Sequence, residues 1–72
     1  MKITPEFNPG DIFLRRSFRE ELCIIIEIKD SRYLIYYFDA DSDSYESYDI
    51  CAFYEKTKSY RSDVLPIYTK LN

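Results

Sequence analysis

The sequence holds few of the side chains that enzymes use for proton transfer or nucleophilic attack. It contains no histidine, the side chain whose pKa suits proton transfer near neutral pH, so Ser–His and Cys–His pairs are excluded. Carboxylate pairs remain, but a chain of 72 residues has little material with which to wall off a water-excluding pocket. We therefore expect a protein that is not an enzyme, with no catalytic residue and no cofactor.

The densest group of carboxylates follows the most aromatic run of the chain. Asp39, Asp41 and Asp43 alternate in the way that an EF-hand calcium loop begins, because a hard cation needs several oxygen ligands. That loop requires glycine where Ser44 stands and a bidentate glutamate where Ile50 stands. We therefore expect no metal site, and a solvated acidic connection is the favoured interpretation.

The same acidic segment has a second functional interpretation. Alternate residues of an extended chain lie about 6.6 Å apart, so carboxylates at that spacing could imitate a row of backbone phosphates. The alternative function is then an acidic nucleic-acid mimic that inhibits a DNA-binding protein. Its candidate residues are Asp39, Asp41, Asp43, Glu46 and Asp49.

Two basic clusters leave open a third function, that of a nucleic-acid-binding barrel. Each combines cations with an aromatic residue on which a base could stack. The net charge of −3 opposes such binding, since sequence-independent affinity for nucleic acid comes mainly from Lys and Arg. Solvated loops explain the clusters better. The clusters are Arg15, Arg16 and Arg19 with Phe18, and Lys56, Lys58 and Arg61 with Tyr60.

The two cysteines, Cys23 and Cys51, each fall in an apolar strand-like run. Buried free thiols behave as small hydrophobes, and small disulfide scaffolds are usually richer in cysteine. We therefore expect reduced core cysteines in a cytoplasmic protein, located in the host cytoplasm or the virion if it is viral. The N-terminus lacks the apolar region of a signal peptide, and no apolar run approaches the roughly 18 residues of a membrane helix.

The elements that must position these residues are short β-strands. β-Branched and aromatic residues dominate two neighbouring runs, and Asp30 and Ser31 between them predict a hairpin. A single domain spanning residues 1–72 is expected from the length and the 46% apolar content. Strands are predicted near 11–16, 20–29, 33–38, 48–55 and 64–68, with a polar connection over 39–47 and a short helical turn capped by Ser62 or Asp63.

Five short strands with little helix predict an all-β fold. The architecture is either a small five-stranded SH3-like barrel, because closure removes exposed strand edges, or a strongly curved antiparallel sheet, with at most a short helical turn. The turn and strand beginning at Pro9-Gly10-Asp11, the run Tyr33–Asp39 and the run Ser47–Ile50 resemble the pattern of small SH3-like and Tudor-like β-barrels, including short barrels encoded by bacteriophages. The resemblance covers residues 8–68. The chain departs from the pattern of the related KOW barrels, which carry a glycine near the start of the second strand, where this chain has Glu20-Glu21-Leu22.

The Tudor-like resemblance implies one further ligand class. Tudor-like barrels bind methylated Lys or Arg inside an aromatic cage, through the attraction between a cation and the faces of aromatic rings. The rings that would supply such a cage are Tyr36, Phe38, Tyr45 and Tyr48. Core packing of these rings is the more common arrangement in β proteins.

The predicted hairpin carries the main candidate site. An uninterrupted ladder from a two-residue turn places Glu27 opposite Leu34, Ile25 opposite Tyr36 and Cys23 opposite Phe38, while the other face pairs Ile28 with Tyr33, Ile26 with Ile35 and Ile24 with Tyr37. Both faces are then largely apolar, whereas an antiparallel sheet normally leaves one face polar for water. Either a partner covers the second apolar face or the terminal segments, with Phe7 and Leu71, fold over it.

We favour the partner. The predicted function is a non-enzymatic protein–protein interaction barrel that docks onto a larger assembly or self-associates, for example as an accessory or structural protein of a virus. A bare apolar patch would otherwise promote aggregation. The predicted partner-binding residues are Ile25, Leu34, Tyr36 and Phe38; the expected partner is a protein or a second copy, not nucleic acid or a membrane.

Overall fold

In the part of the chain that the structure describes, five strands form one antiparallel sheet in the order β4-β3-β2-β1-β5, with one short helix. This computed structural model describes residues 6–17, 19–38, 44–58 and 63–72. The all-β prediction is confirmed, but the sheet is not closed into a barrel, and β4 and β5 are its two edges. The strands are β1 Ile12–Arg16, β2 Glu20–Lys29, β3 Arg32–Phe38, β4 Ser44–Asp49 and β5 Tyr68–Lys70, and the helix is α1 Ile50–Lys56.

The β2–β3 hairpin turns through Asp30 and Ser31, as predicted. Both residues have positive φ angles, 53° and 60°, and Lys29 pairs with Arg32 on either side of them. Two successive left-handed residues are the signature of a type I′ turn, whose twist matches that of the flanking strands. The turn therefore fixes the pairing at this end of the hairpin.

A β-bulge at Ile26 changes the pairing further from the turn. Glu27 pairs with Leu34 as predicted, but the next pair is Ile25 with Ile35. One additional residue in β2 thus shifts every earlier pair by one position. The predicted pairing of Ile25 with Tyr36 is wrong, because Ile24 lies opposite Tyr36, and the pairings predicted for Cys23, Ile24 and Ile26 are wrong for the same reason.

The turn at residues 8–11 holds the chain beside this bulge. The backbone N–H of Gly10 donates to the carbonyl of Ile25 (2.8 Å), and the N–H of Ile25 donates to the carbonyl of Asp11 (3.1 Å). Gly10 has a φ of 97°, which L side chains rarely adopt. Asp11 accepts a further bond from the N–H of Asn8 at 3.0 Å. The predicted turn therefore joins β1 to the irregular part of β2.

The predicted fourth strand, 48–55, is wrong. The strand β4 ends at Asp49, and α1 occupies Ile50–Lys56. The carboxylate of Asp49 caps the helix by accepting the N–H of Ala52 at 3.0 Å, as Asp commonly does at this position. Ile50 and Phe53 are the buried helix residues, and their three-residue spacing is that of one helix face. The helix therefore lies upstream of the short helical turn that was predicted with Ser62 or Asp63 as its cap, and Ser62 lies outside the described residues.

The last strand also lies further along the chain than predicted. The sequence placed it at 64–68, whereas β5 comprises Tyr68–Lys70. Proline lacks a backbone N–H and is poorly suited to strand pairing, and Pro66 precedes the strand. Pairing begins when the N–H of Arg16 donates to the carbonyl of Ile67 at 2.6 Å, so β5 forms just beyond the proline.

One face of the sheet and the helix α1 enclose the core. The ring of Phe53 lies at its centre, with centroids 5.1 Å from Phe13, 5.4 Å from Tyr33 and 4.6 Å from Tyr68. Phe53 also contacts the ring of Tyr48 in β4 at 5.6 Å. A helix side chain thus lies against residues from both edge strands, in place of the strand pairing that would close a barrel. The buried residues are Phe13, Cys23, Ile25, Tyr33, Ile35, Tyr37, Ile50, Phe53 and Tyr68.

The helix of the described region is far too short to span a membrane. It has seven residues, compared with the 20 or so that a bilayer requires.

Candidate functional site

The candidate site is the face of the sheet that points away from the core. Its side chains align in rows across the strands: Leu14, Leu22 and Phe38 form one row, and Ile12, Ile24, Tyr36 and Tyr45 form the next. Leu34 begins a third row between Glu27 and Ser47. We call this surface the outer face and define its apolar part as Ile12, Leu14, Leu22, Ile24, Leu34, Tyr36, Phe38 and Tyr45.

Large apolar side chains of the outer face remain open to solvent. Leu22 is 46% exposed, Phe38 50% and Tyr45 65%, while the other apolar residues of the face are half-buried. Ile26, at the bulge, is also exposed. Soluble monomers rarely leave a large contiguous apolar patch bare unless it binds something. The outer face therefore differs from an ordinary solvated sheet surface.

Three aromatic rings form the most prominent part of the outer face. Tyr36 lies edge-on to Phe38, with ring centroids 4.8 Å apart at 88°, and its centroid is 5.1 Å from that of Tyr45. These three rings belong to the cage that the Tudor-like resemblance implied. The fourth, Tyr48, lies on the core side against Phe53, so it does not join them.

The structure brings together three of the four predicted partner-binding residues. Leu34, Tyr36 and Phe38 alternate along β3 and share the outer face. Ile25 is fully buried and pairs with Ile35 in the core, so its placement with the other three is wrong. The bulge is the physical reason, because it moves Ile25 onto the core face.

Sequence reasoning also missed residues of this surface. Leu22 and Ile24 occupy the places in β2 that the uninterrupted ladder gave to other residues. Tyr45 was assigned to a polar connection, whereas it lies in β4 opposite Tyr36. The run of three isoleucines, 24–26, gave no signal of the bulge, because isoleucine fits either face of the sheet.

The terminal residues that were expected as an alternative cover do not bury this surface. Phe7 packs on the core side, with its ring centroid 4.9 Å from that of Phe13 and 5.9 Å from that of Phe53. Its N–H also donates to the hydroxyl of Tyr33 at 3.3 Å. Leu71 stays 54% exposed. Within the described residues, the N-terminal segment therefore completes the core and leaves the outer face open.

Charged residues border the outer face at both ends of the strands. At one end Arg16 pairs with Glu20 and donates to the hydroxyl of Thr69 at 2.7 Å. At the hairpin end the Nε of Arg32 donates to the Ser47 hydroxyl at 2.7 Å, and its Nη2 donates to the Ser47 carbonyl at 3.0 Å. An open depression of about 280 Å³ lies beside this end, lined by Glu27, Lys29, Asp30, Arg32, Tyr33, Leu34 and Ser47.

A network of polar side chains lies on the core face of the sheet, on the side opposite the outer face. The hydroxyl of Tyr37 donates to a carboxylate oxygen of Glu46 at 2.8 Å and lies 2.6 Å from the hydroxyl of Tyr68. A hydroxyl has only one hydrogen to donate, and Tyr37 donates its hydrogen to Glu46. The Tyr68 hydroxyl is therefore the donor to the Tyr37 oxygen. Burial, reinforced by these bonds, raises the pKa of Tyr37, and burial raises the pKa of Tyr68 to about 12. Both hydroxyls are therefore neutral structural groups.

The carboxylates of the predicted phosphate mimic that the structure describes have structural roles. Glu46 accepts the Tyr37 hydroxyl, and Asp49 caps α1. Asp39, Asp41 and Asp43 lie outside the described residues. The two carboxylates that the structure describes thus hold the core and the helix in place.

The sheet divides the first predicted basic cluster between its two faces. Arg15 lies on the core side, with its guanidinium carbon 5.3 Å from the centroid of Tyr37 and Nη1 3.7 Å from Glu21. Arg16, its neighbour, contacts Thr69 on the outer face. In the second cluster Lys58 lies over the ring of Tyr54 at 4.4 Å. Phe18, Tyr60 and Arg61 lie outside the described residues.

The cysteines differ in their environments. Both are free, as predicted, but only Cys23 is buried; burial raises the pKa of its thiol to about 12, so it packs as a neutral group. Cys51 is exposed on α1, and its predicted place in the core is wrong because residue 51 lies on the solvent side of a helix. Within the described ranges no group of three His, Cys, Asp or Glu side chains is placed to hold a metal ion.

Comparisons of the chain with protein-family models, with curated proteins and with solved structures find no match.

Proposed function

We propose that this protein is a non-enzymatic interaction module that docks onto another protein surface through its outer face. The observation that supports this proposal is the exposed apolar surface on the side of the sheet opposite the core. An antiparallel sheet with one face buried normally offers water a polar second face. Here that second face carries Leu22, Phe38 and Tyr45 in the open.

The composition of the face suits a protein interface. Aromatic side chains are enriched at the centres of interfaces, where they bury a large area at a low cost in conformational entropy. Tyr36, Phe38 and Tyr45 supply such a group. Charged residues then lie at the two ends of the strands, as in an interface with an apolar centre and a polar rim. Arg16 and Arg32 are already held in place there by hydrogen bonds.

The non-enzymatic part of the proposal rests on chemistry. The chain has no histidine. The best-positioned titratable groups, the hydroxyls of Tyr37 and Tyr68, are buried and have pKa values above their usual range, which removes them from proton transfer near neutral pH.

The test compares assembly sizes in extracts of the cells that make the protein. We expect wild-type protein to elute in an assembly and the double variant Tyr36→Lys with Phe38→Glu to elute as a free, folded chain. The matched control is Glu55→Lys with Lys56→Glu, which introduces the same two charge types at exposed positions of α1. This control should keep the wild-type elution. If the outer-face variant kept the native-size assembly and lost only thermal stability, the proposal would be wrong.

Salt dependence adds a second criterion. An interface dominated by apolar contacts should persist when salt is raised, because screening weakens mainly exposed charge pairs. We expect the assembly to survive an increase from about 0.1 M to 1 M ionic strength, over which the screening length falls from about 10 Å to 3 Å. Dissociation over this range would favour the acidic mimic instead.

A further inference from the structure

The outer face has a shape and a charge pattern that fit a second copy of the same chain. Phe38 projects at one end of β3, with half of its surface exposed. The depression of about 280 Å³ lies at the other end, beside Leu34. Four residues of an extended strand span about 13 Å, so a projection and a hollow lie on the same strand with Tyr36 midway between them.

A two-fold axis across the strands brings these features together. Such an axis runs parallel to the plane of the sheet and perpendicular to its strands, above the row that contains Tyr36. Rotation by 180° about it places the second sheet face to face with the first, with its strands in the opposite direction. Phe38 of one copy then lies above Leu34 of the other, while Tyr36 lies above its own counterpart. An interface of this kind requires a self-complementary patch, in which residue i contacts j and j contacts i. The projection and the hollow satisfy that requirement.

The charges at the ends of the outer face permit the same arrangement. One end carries Arg16 and Glu20, which sum to zero. The hairpin end carries Glu27, Lys29, Asp30 and Arg32, together with Asp49 opposite Arg32, and these five charges sum to −1. Because the two-fold axis places one end over the other, the hairpin end of each copy meets the neutral end of the other, so no two ends of like charge face each other, although the whole chain carries −3. A highly charged partner would find no complementary field on this face.

The size of the face is sufficient for a stable dimer. The molecule measures 35 × 33 × 19 Å along its principal axes, and its thin dimension corresponds to one sheet plus one helix layer at spacings of about 10 Å. The broad side therefore exceeds the roughly 800 Å² that each partner contributes to a standard interface. Stacked sheets at about 10 Å would form a β-sandwich across the two copies.

We propose that the occupant of the outer face is a second copy of this chain, stacked face to face about a two-fold axis above Tyr36, with Phe38 of each copy inserted into the depression beside Leu34 of the other. This inference rests on the proposed docking function and names its partner. It also names the registration of the two sheets, which can be tested separately.

Complementary charge variants test both the partner and the registration. Sedimentation velocity of the purified full chain should show a monomer–dimer equilibrium. Leu34→Glu and Phe38→Lys should each weaken the dimer at least about 100-fold, because each replaces both copies of an apolar contact with a charge, and the charged side chains that line the depression sum to zero and offer that charge no net attraction. When the two variants are mixed, the introduced lysine of one chain faces the introduced glutamate of the other and the second contact is native. The mixture should therefore recover at least about ten-fold in affinity.

The control mixture combines Phe38→Lys with Ile12→Glu. Residue 12 belongs to the row under the axis and does not face residue 38, so this mixture should not recover. Circular dichroism of each variant checks that it is folded, and a variant that unfolds is replaced by Leu34→Asp or Phe38→Arg at the same position.

The outcomes separate the two proposals. A wild-type chain that stays monomeric up to millimolar concentration overturns the second-copy inference, whereas the docking function stands or falls with the assembly found in extracts. A dimer whose complementary mixture fails to recover, or recovers no better than the control mixture, overturns the registration stated above.

Discussion

The two faces of the sheet are built from the same kinds of residue but have opposite surroundings. The core face presents aromatic and aliphatic side chains to α1 and to Phe7, and Phe13 and Tyr33 are fully buried there. The outer face also carries aromatic side chains in contact, Phe38 with Tyr36, yet Phe38 remains half-exposed. Composition therefore does not distinguish the inside of this protein from its outside. The two faces differ instead in their cover, because α1 and Phe7 pack on the core face and the described terminal residues leave the outer face open.

The two faces also differ in their treatment of polar groups. On the core side the hydroxyls of Tyr37 and Tyr68 are buried and bonded to each other. On the outer side the Tyr45 ring is largely open to water. A core tyrosine needs its partner, whereas an exposed one can exchange a protein partner for water at little cost. This difference makes the comparison measurable by matched substitutions on opposite faces.

Replacing one phenylalanine on each face should give the largest contrast. Phe13→Ala opens a cavity in the core and should lower the free energy of unfolding by about 3–5 kcal/mol, enough to unfold much of a domain this small. Phe38→Ala removes a half-exposed ring and should cost less than about 1 kcal/mol when the chain is monomeric. Urea denaturation at low micromolar concentration measures both. Equal losses at the two positions would mean that the outer face is covered within a single chain.

Alkaline pH should destabilise the protein through the buried groups of the core face. The pKa of the Cys23 thiol is raised from 9.0 to about 12 and that of Tyr68 from 10.0 to about 12, and burial raises the pKa of Tyr37 as well. Below pH 9 both the folded and the unfolded chain keep these protons, and the stability is complete. Above pH 9 to 10 the unfolded chain loses them first, so stability falls by about 1.4 kcal/mol per pH unit for each such group.

Urea midpoints at pH 8, 9.5, 10.5 and 11 would measure this loss. Tyr37→Phe removes one of the titrating groups, so its stability should fall less steeply above pH 10 than that of the wild type. Tyr45→Phe, at an exposed position, should follow the wild-type slope. A wild-type midpoint that stays constant to pH 11 would contradict burial of the three groups.

Near neutral pH the same two tyrosine variants should differ by a smaller amount. Tyr37→Phe deletes the donor to Glu46 and the acceptor for the Tyr68 hydroxyl, leaving a buried polar group without that partner. We expect a loss of about 1–2 kcal/mol. Tyr45→Phe should change stability by less than about 0.5 kcal/mol. Differential scanning fluorimetry ranks the two, and reversal of their order would show that the hydroxyl network is not formed in solution.

Local sequence predicted the hairpin turn, the strand β2 and the turn at residues 8–11, because each depends on neighbouring residues. Asp30 and Ser31 determine the turn, and Asn8 to Asp11 form the preceding one. The bulge at Ile26 was not predictable, since three consecutive isoleucines fit either face. It is stabilised by backbone hydrogen bonds with a distant turn, in which the N–H of Gly10 donates to the Ile25 carbonyl and the N–H of Ile25 donates to the Asp11 carbonyl. The formation of a helix at residues 50–56, in place of a strand, likewise depends on distant contacts, those of the Phe53 ring with Phe13, Tyr33 and Tyr68.

The candidate site was predictable to the extent that it lies on β3. Leu34, Tyr36 and Phe38 share a face of any straight strand, whatever their cross-strand partners. The residues contributed by β2 depended on the bulge, and so Ile25 was assigned to the wrong face. Tyr45 was missed because Ser and Asp around it favour a connection, and its place in β4 is determined by pairing with Tyr36.

The smallest expected effect, and the only gain in stability, concerns the turn that sets which residues of the hairpin share a face. Asp30 and Ser31 have φ angles of 53° and 60°, which Asn and Gly adopt more readily. The left-handed conformation costs a non-glycine residue about 1–2 kcal/mol, and the added freedom of glycine in the unfolded chain offsets about 0.4–1 kcal/mol of that gain. Asp30→Asn with Ser31→Gly should therefore raise the free energy of unfolding by about 0.5–1 kcal/mol without altering the contacts of either face. The matched control is Ser31→Val, in which a β-branched residue is forced into the left-handed region and stability should fall by more than that gain. Urea denaturation gives the two signs, and backbone amide shifts of β2 and β3 would show that the pairing is retained. If the Asn-Gly variant were less stable than the wild type, the turn in solution would not have the geometry that places Tyr33 in the core and Leu34 on the outer face.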